Sequence, residues 1–227
     1  MRKLITMGGI LFIALSLILM FIPGCGVNMD NNDTDELPPA EIREYEGVDL
    51  SSINSFRENS IRGPQRVDVE NYMLSITGLV TNPQSYTYDE IVNNHQHYKK
   101  VVTLDCVEGW SVTILWEGLL VRDLLEEAKP LSNAQVIIFH AYDGYTTSVP
   151  IEYIMNNDIL MAYKMNDVIL PPERGFPFEL VAESKWGYKW IKWITEIELS
   201  DDVNYRGYWE SRGYSNSADL DKSFFGD

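Results

Sequence analysis

The sequence predicts an α+β domain built from mixed sheets and short helices. Three observations predict it. Short β-branched runs recur from Tyr72 to Leu199, few stretches carry helical spacing, and no strand–helix–strand alternation supports a parallel nucleotide-binding sheet. The 227 residues are 45% hydrophobic and 12% aromatic, which suffices for a core of ordinary size. Lys and Arg total 18 against 34 Asp and Glu, a net charge of −16. Such a field repels polyanions, so nucleic-acid binding is excluded.

The elements are expected in the following order. Arg2 and Lys3 precede an uncharged apolar run from Leu4 to Ile22, long enough to enter a bilayer. The run closes on Ile22-Pro23-Gly24-Cys25, which resembles a lipoprotein signal with Cys25 as the acylated residue; an uncleaved signal anchor is the alternative. Either places the remainder outside the cytoplasm, because the basic residues precede the run and Asp30, Asp33, Asp35 and Glu36 follow it. Residues 1–24 are thus expected as a signal peptide, 25–44 as a lipid-anchored flexible tether, and 45–227 as the folded domain. Strands are expected over Tyr72 to Val80, Val101 to Cys106, Val112 to Trp116, Ile159 to Lys164, Val168 to Leu170, Phe178 to Ala182 and Ile191 to Leu199. Thr87-x-x-Glu90 opens a short helix with a capping box, and the leucine spacing from Leu119 to Ala128 gives a second. Gln135 to His140 and Tyr145 to Val149 flank Asp143-Gly144, a hairpin signal.

Two cysteines in such different settings make no disulfide framework and no Cys₄ zinc site. Cys106, where a strand meets a turn, is an inert core thiol, a nucleophile or a metal ligand. Asp105 and Glu108 flank it and oppose a reactive thiolate, which disfavours hydrolase chemistry. A metal ion drives deprotonation by itself, but one protein ligand would require an organic cofactor to supply the others. His95-x-His97 lacks a third ligand nearby and reads as a solvated helix end. Lys185-Trp-Gly-Tyr-Lys189-Trp-Ile-Lys192 is a local cationic stretch in an acidic chain. It is either a strand with a solvated lysine face or the holder of an anionic cofactor such as a phosphate.

In order and spacing, Asn54-Ser-Phe-Arg-Glu58, Cys106-Val-Glu-Gly-Trp110-Ser111, Trp116, Pro130-Leu-Ser-Asn-Ala134, Leu170-Pro-Pro172, Gly175-Phe-Pro177 and Lys185-x-Gly187-x-Lys189-x-x-Lys192 carry a resemblance. From about Asn54 to Leu199 the chain resembles the sulfite oxidase family of molybdopterin-dependent oxidoreductases. Within it, the chain is most similar to catalytic subunits of periplasmic protein-methionine-sulfoxide reductases. The resemblance implies a sulfite-oxidase-type fold and a molybdenum-molybdopterin cofactor with Cys106 as its one protein thiolate. It implies that Lys192 and the backbone of Trp190 and Ile191 hold the pterin phosphate, with Lys185 and Lys189 as support. Asn54, Arg57 and Glu58, together with Arg174, would line the cofactor. The reaction implied is two-electron oxygen-atom transfer, molybdenum alternating between its VI and IV states, on a small-molecule or protein-bound oxidised-sulfur substrate. Electrons would pass to or from a separate protein, membrane haem or quinone-linked, and the chain would act as a monomer.

The departures are informative. Val107-Glu108-Gly109 stands where sulfite-oxidising members carry arginines, which disfavours the sulfite dianion. Ala141 replaces a threonine, Arg174 an asparagine and Glu179 an arginine of the sulfoxide reductase pattern, so positions 174 and 179 exchange the positive charge. No twin-arginine pair precedes the apolar run. The rival expectation is a surface lipoprotein that kept the fold without the metal and binds a small anion at Lys185, Lys189 and Lys192.

Overall fold

The computed structural model describes residues 40–226, so the expected signal peptide, the acylated Cys25 and most of the tether lie outside the described residues. Attachment to the domain begins before Tyr45. The Glu41 carboxylate accepts the Ile53 N–H at 2.7 Å, and the Ile42 N–H donates to the Asn166 carbonyl. Residues 41–44 therefore belong to the fold rather than to a free tether.

A small hairpin of β1 (Glu44–Tyr45) and β2 (Val48–Asp49) leads into a long loop, then β3 (Met73–Gly78) and β4 (Gln84–Thr87). In β3, Leu74 and Ile76 point into the core while Ser75 and Thr77 point outward, the period-two pattern of a half-buried strand. Thr87 caps α1 (Tyr88–Asn94): its hydroxyl accepts the Glu90 N–H, and the Glu90 carboxylate accepts the Thr87 N–H. β5 (Tyr98–Asp105) and β6 (Ser111–Leu120) form the hairpin that carries Cys106 in its loop. β6 runs four residues beyond the expected Trp116, pairing with a later strand across a bulge at Glu117/Gly118. The following helix consequently starts late. It is α2 (Val121–Ala128), with Val121, Leu124, Leu125 and Ala128 on its buried face.

β7 (Val136–Ala141) and β8 (Thr146–Pro150) form the hairpin expected around Asp143-Gly144. A short α3 (Ile151–Met155), which has no clear sequence signal, leads to β9 (Leu160–Met165), β10 (Val168–Ile169), β11 (Glu179–Val181) and β12 (Ile194–Ser200). Two five-stranded sheets result. One has the order β4-β3-β12-β7-β8, with β12 parallel to β3 and all other pairs antiparallel. The other runs β10-β9-β6-β5, with β11 also pairing to β9. Apolar side chains of both sheets and of α2 form one contiguous cluster, with Trp116, Phe139 and Phe178 among its largest fully buried members. Among the described residues no helix is long and apolar enough to cross a membrane.

Candidate active site

The β5–β6 hairpin fixes Cys106. Its N–H donates to the Trp110 carbonyl at 2.9 Å and its carbonyl accepts the Gly109 N–H at 3.0 Å, so the five-residue loop is closed by its own backbone. Behind it the Gly187 backbone passes so close that a side chain there would meet the Asp105 carbonyl at 3.3 Å and the Cys106 Cα at 3.5 Å. Cys106 is 6% exposed, and the Asn59 amide lies 3.7 Å from its Sγ. Burial pushes the thiol above its ordinary pKa. The Glu108 charge adds to the rise, and the Glu108 N–H and the Arg57 charge oppose it without cancelling it. This environment disfavours a free thiolate nucleophile.

Cys106 opens on a cavity of about 170 Å³ that also receives Arg57, Arg174, Glu179, Trp190 and Lys192. Aromatic rings build one wall, Phe56 meeting Trp110 at 6.0 Å between centroids, and the fully buried Trp116 backs it, 6.3 Å from Phe56 and 5.6 Å from Trp190. The Arg174 guanidinium stacks 4.6 Å above the Phe56 ring and donates to the Phe56 carbonyl at 3.3 Å. Lys192 Nζ donates to the Glu58 carboxylate at 3.2 Å and to the Glu173 carbonyl at 3.4 Å, and lies 4.5 Å from the Trp193 ring. Burial would raise the Glu58 pKa, but its bonds from Ser60 and the Lys192 charge hold the carboxyl below its usual value.

The expected site residues divide. Cys106, Arg57, Arg174, Trp190, Ile191 and Lys192 share the cavity wall. Glu58 touches it only through Lys192, and Asn54 is exposed and outside it. Several expectations need correction. Lys189 is fully buried: its Nζ donates to Glu210 Oε1 at 2.5 Å and to the Ser148 carbonyl at 2.8 Å, because a cation without solvent must be paired inside. Lys185 is 8% exposed, bonded to the Ser217 carbonyl at 2.9 Å and ion-paired with Asp219. Neither faces the cavity, so neither supports a phosphate there. Nor do the backbone N–H groups of Trp190 and Ile191, which donate to the Gly187 and Lys189 carbonyls. The lysine stretch is a 3-10 turn over Gly187–Lys189 rather than a strand with a solvated face.

Other residues were not expected. Asn59 is the donor to Sγ, and Trp209 and Tyr214 of the C-terminal segment complete the wall. Only Asn59 carried a signal, its place just after Asn54–Glu58. His95 and His97 diverge, one facing Ile91 and Glu127, the other Tyr163, and among the described residues no three His, Cys, Asp or Glu cluster as metal ligands. A centre with one thiolate and an organic partner does not need such a cluster. The residues fit that group: one thiol with an amide donor, a lysine lining the same cavity, and a buried Glu179 Oε2 with no hydrogen-bond partner.

Comparison with known proteins agrees. Residues 61–209 match the oxidoreductase molybdopterin binding domain. The chain is 31% identical over 157 residues to an uncharacterized oxidoreductase, YuiH, of Bacillus subtilis (strain 168), covering 69% of this chain and 78% of that one. It is 29% identical over 151 residues to a putative protein-methionine-sulfoxide reductase subunit, YedZ1, of Azospira oryzae, covering 66% of this chain and 57% of that one. An NADPH nitrate reductase of Fusarium oxysporum is 29% identical over 62% of this chain and 18% of its own length. The crystal structure of the sulfane dehydrogenase SoxCD from Paracoccus pantotrophus shares the fold, with a TM-score of 0.60 at 20% identity over 68% of this chain and 43% of that one. The cavity thiol and its partners thus sit in a molybdopterin-binding oxidoreductase domain, and the chain belongs to the sulfite oxidase family of molybdenum enzymes.

Proposed function

We propose that this chain is an extracytoplasmic, membrane-anchored enzyme of two-electron oxygen-atom transfer, acting on sulfoxides, with molybdenum held by the Cys106 thiolate. The observation that carries the reading is that Cys106 and Lys192 face one cavity, on whose wall an aromatic edge and two arginines also stand. Molybdenum bound there supplies the two-electron redox chemistry. The Asn59 amide orients the sulfur, Lys192 receives the cofactor's phosphate, and Phe56 and Trp110 exclude water. Arg57, on the same wall as Cys106, would hold the substrate's oxygen.

Charge supports an uncharged substrate. The charged residues of the wall are Arg57, Arg174 and Lys192 against Glu108 and Asp143, since burial keeps Glu179 protonated near neutral pH. Once Lys192 serves a phosphate, no surplus of positive charge is left for a dianion such as sulfite. A neutral sulfoxide needs none. The anion-binding alternative loses its basis, since Lys185 and Lys189 are bound to Asp219 and Glu210.

Cys25 would carry the lipid, residues 26–40 would tether the domain, and a separate membrane protein would exchange electrons with a monomeric domain. The word subunit in the name of the Azospira relative supports such a partner. Molybdenum content and the Mo(V) paramagnetic signal of protein made with cofactor supply test the centre. Both are expected in the wild type and absent from Cys106→Ser; equal metal in the two proteins would remove Cys106 as ligand. Reduced-dye assays are expected to show turnover with sulfoxides and none with sulfite. Cys25→Ser should abolish labelling of the protein by a fatty-acid precursor while the wild type is labelled; an unlabelled wild type would favour the uncleaved anchor.

A further inference from the structure

Among the described residues of the cavity wall, Glu179 is the one with a buried side-chain oxygen that has no hydrogen-bond partner. It lies in β11, is 3% exposed, and its Oε2 makes no hydrogen bond. Its register partner on β9, Ala162, offers neither charge nor donor. The cations nearby are committed elsewhere: Lys192 to Glu58 and the Glu173 carbonyl, Arg174 to the Phe56 carbonyl. Gly175 sets the geometry. A Cβ at Gly175, whose φ is +96°, would stand 3.1 Å from both the Glu179 Cβ and the Lys192 Cβ, so these two side chains leave the same spot in the cavity wall. An anion received by Lys192 would therefore lie on the part of the wall that carries Glu179.

Resting on the reading of Lys192 as the phosphate holder, we propose that Glu179 binds the cofactor's phosphate as a neutral carboxylic acid, donating its proton's hydrogen bond to a phosphate oxygen. An ionised carboxylate at this distance would repel the phosphate, whereas a buried acid turns an unsatisfied oxygen into a donor. Four influences act on this carboxyl. Burial, the largest, raises it, Lys192 and Arg174 pull it down, and Glu58 pushes it up; it comes to about 8. A phosphate bound beside it adds negative charge and keeps the proton in place. The exchange of charge between positions 174 and 179 acquires a physical reading. Arg174 brings a cation to the wall from the neighbouring turn, and Glu179 contributes a donor without a charge.

Pterin retained by the holoenzyme after dilution and dialysis, measured by the fluorescence of the oxidised pterin, tests this without an activity assay. Wild-type retention should fall as pH rises from about 7 to about 9, where a phosphate monoester is already dianionic and Lys192 still charged. Glu179→Gln, which keeps a donor that cannot ionise, should retain pterin with no such fall. Glu179→Leu, which has none, should hold it about tenfold more weakly at pH 7. A wild-type profile parallel to that of Glu179→Gln, or full retention by Glu179→Leu, overturns the proposal. Lys192→Ala is read beside them: undiminished retention there removes the phosphate assignment itself and this inference with it. Retention lost in Lys192→Ala and kept in Glu179→Leu removes the inference alone.

Discussion

Lys189 and Lys192 lie three residues apart in one loop and meet opposite fates. Lys189 is turned inward to Glu210, with both side chains fully buried. Lys192 keeps 15% of its side chain exposed, shares a cavity with Cys106 and is bonded to a Glu58 that is itself 29% exposed. The difference separates a charge that holds the chain together from a charge available to a ligand. Glu210 and Asp219 lie in the segment after β12, which also brings Trp209 and Tyr214 to the cavity wall. Lys185 and Lys189 thus help position the site while staying out of it.

The largest expected effect breaks the inward pair. Lys189→Ala strands a buried carboxylate and should cost about 3–5 kcal/mol in denaturant unfolding of the cofactor-free protein. Lys189→Met with Glu210→Leu, which removes both charges, should recover most of that loss. Lys192→Ala removes a partly solvated pair and should cost no more than about 1 kcal/mol. Its loss should show in pterin retention instead. Similar destabilisation by Lys189→Ala and Lys192→Ala would erase the distinction.

Local chemistry made much of the scaffold readable in sequence. The Thr87–Glu90 capping box and the Asp143-Gly144 turn are decided by residues within four positions of each other, and the structure has both. Cys106 at a strand end was readable for the same reason. What sequence did not show depends on distant partners. Glu210 and Asp219 follow their lysines by 21 and 34 residues, and Asn59 reaches Cys106 across 47. A run of lysines beside aromatics looks the same whether its counter-ions come from a ligand or from the tail. β12 lies parallel to β3, more than a hundred residues earlier, a pairing that no local pattern announces.

Glu179 sharpens the comparison from the acidic side, as a buried carboxyl without the cation that Glu210 has. Burial raises it from 4.5 to about 8, with Lys192 and Arg174 opposing. The folded chain therefore keeps a proton that the unfolded chain releases, and cofactor-free protein should lose stability as pH rises from about 4.5 to about 8, then level off. Denaturant midpoints across this range should slope downward in the wild type and less steeply in Glu179→Gln. Equal slopes would mean that the carboxyl is solvated or paired.

A smaller effect of opposite sign belongs to Asp219. Burial pushes its carboxyl up, but bonds and charge from Lys185 and Lys222 outweigh that and hold it below its ordinary value. Its stabilising contribution is present above the unfolded pKa and is lost as pH falls through the folded one, so it appears only on the acid limb, below about pH 4. Asp219→Asn should flatten that limb while leaving the midpoint at pH 7 lowered by less than in Lys189→Ala. Lys185 keeps the Ser217 carbonyl as acceptor when Asp219 is neutralised, whereas Lys189→Ala leaves the fully buried Glu210 carboxylate without its cation. The prediction fails if Asp219→Asn costs as much as breaking the inward pair, because exposure would then not be what distinguishes the lysines of this loop.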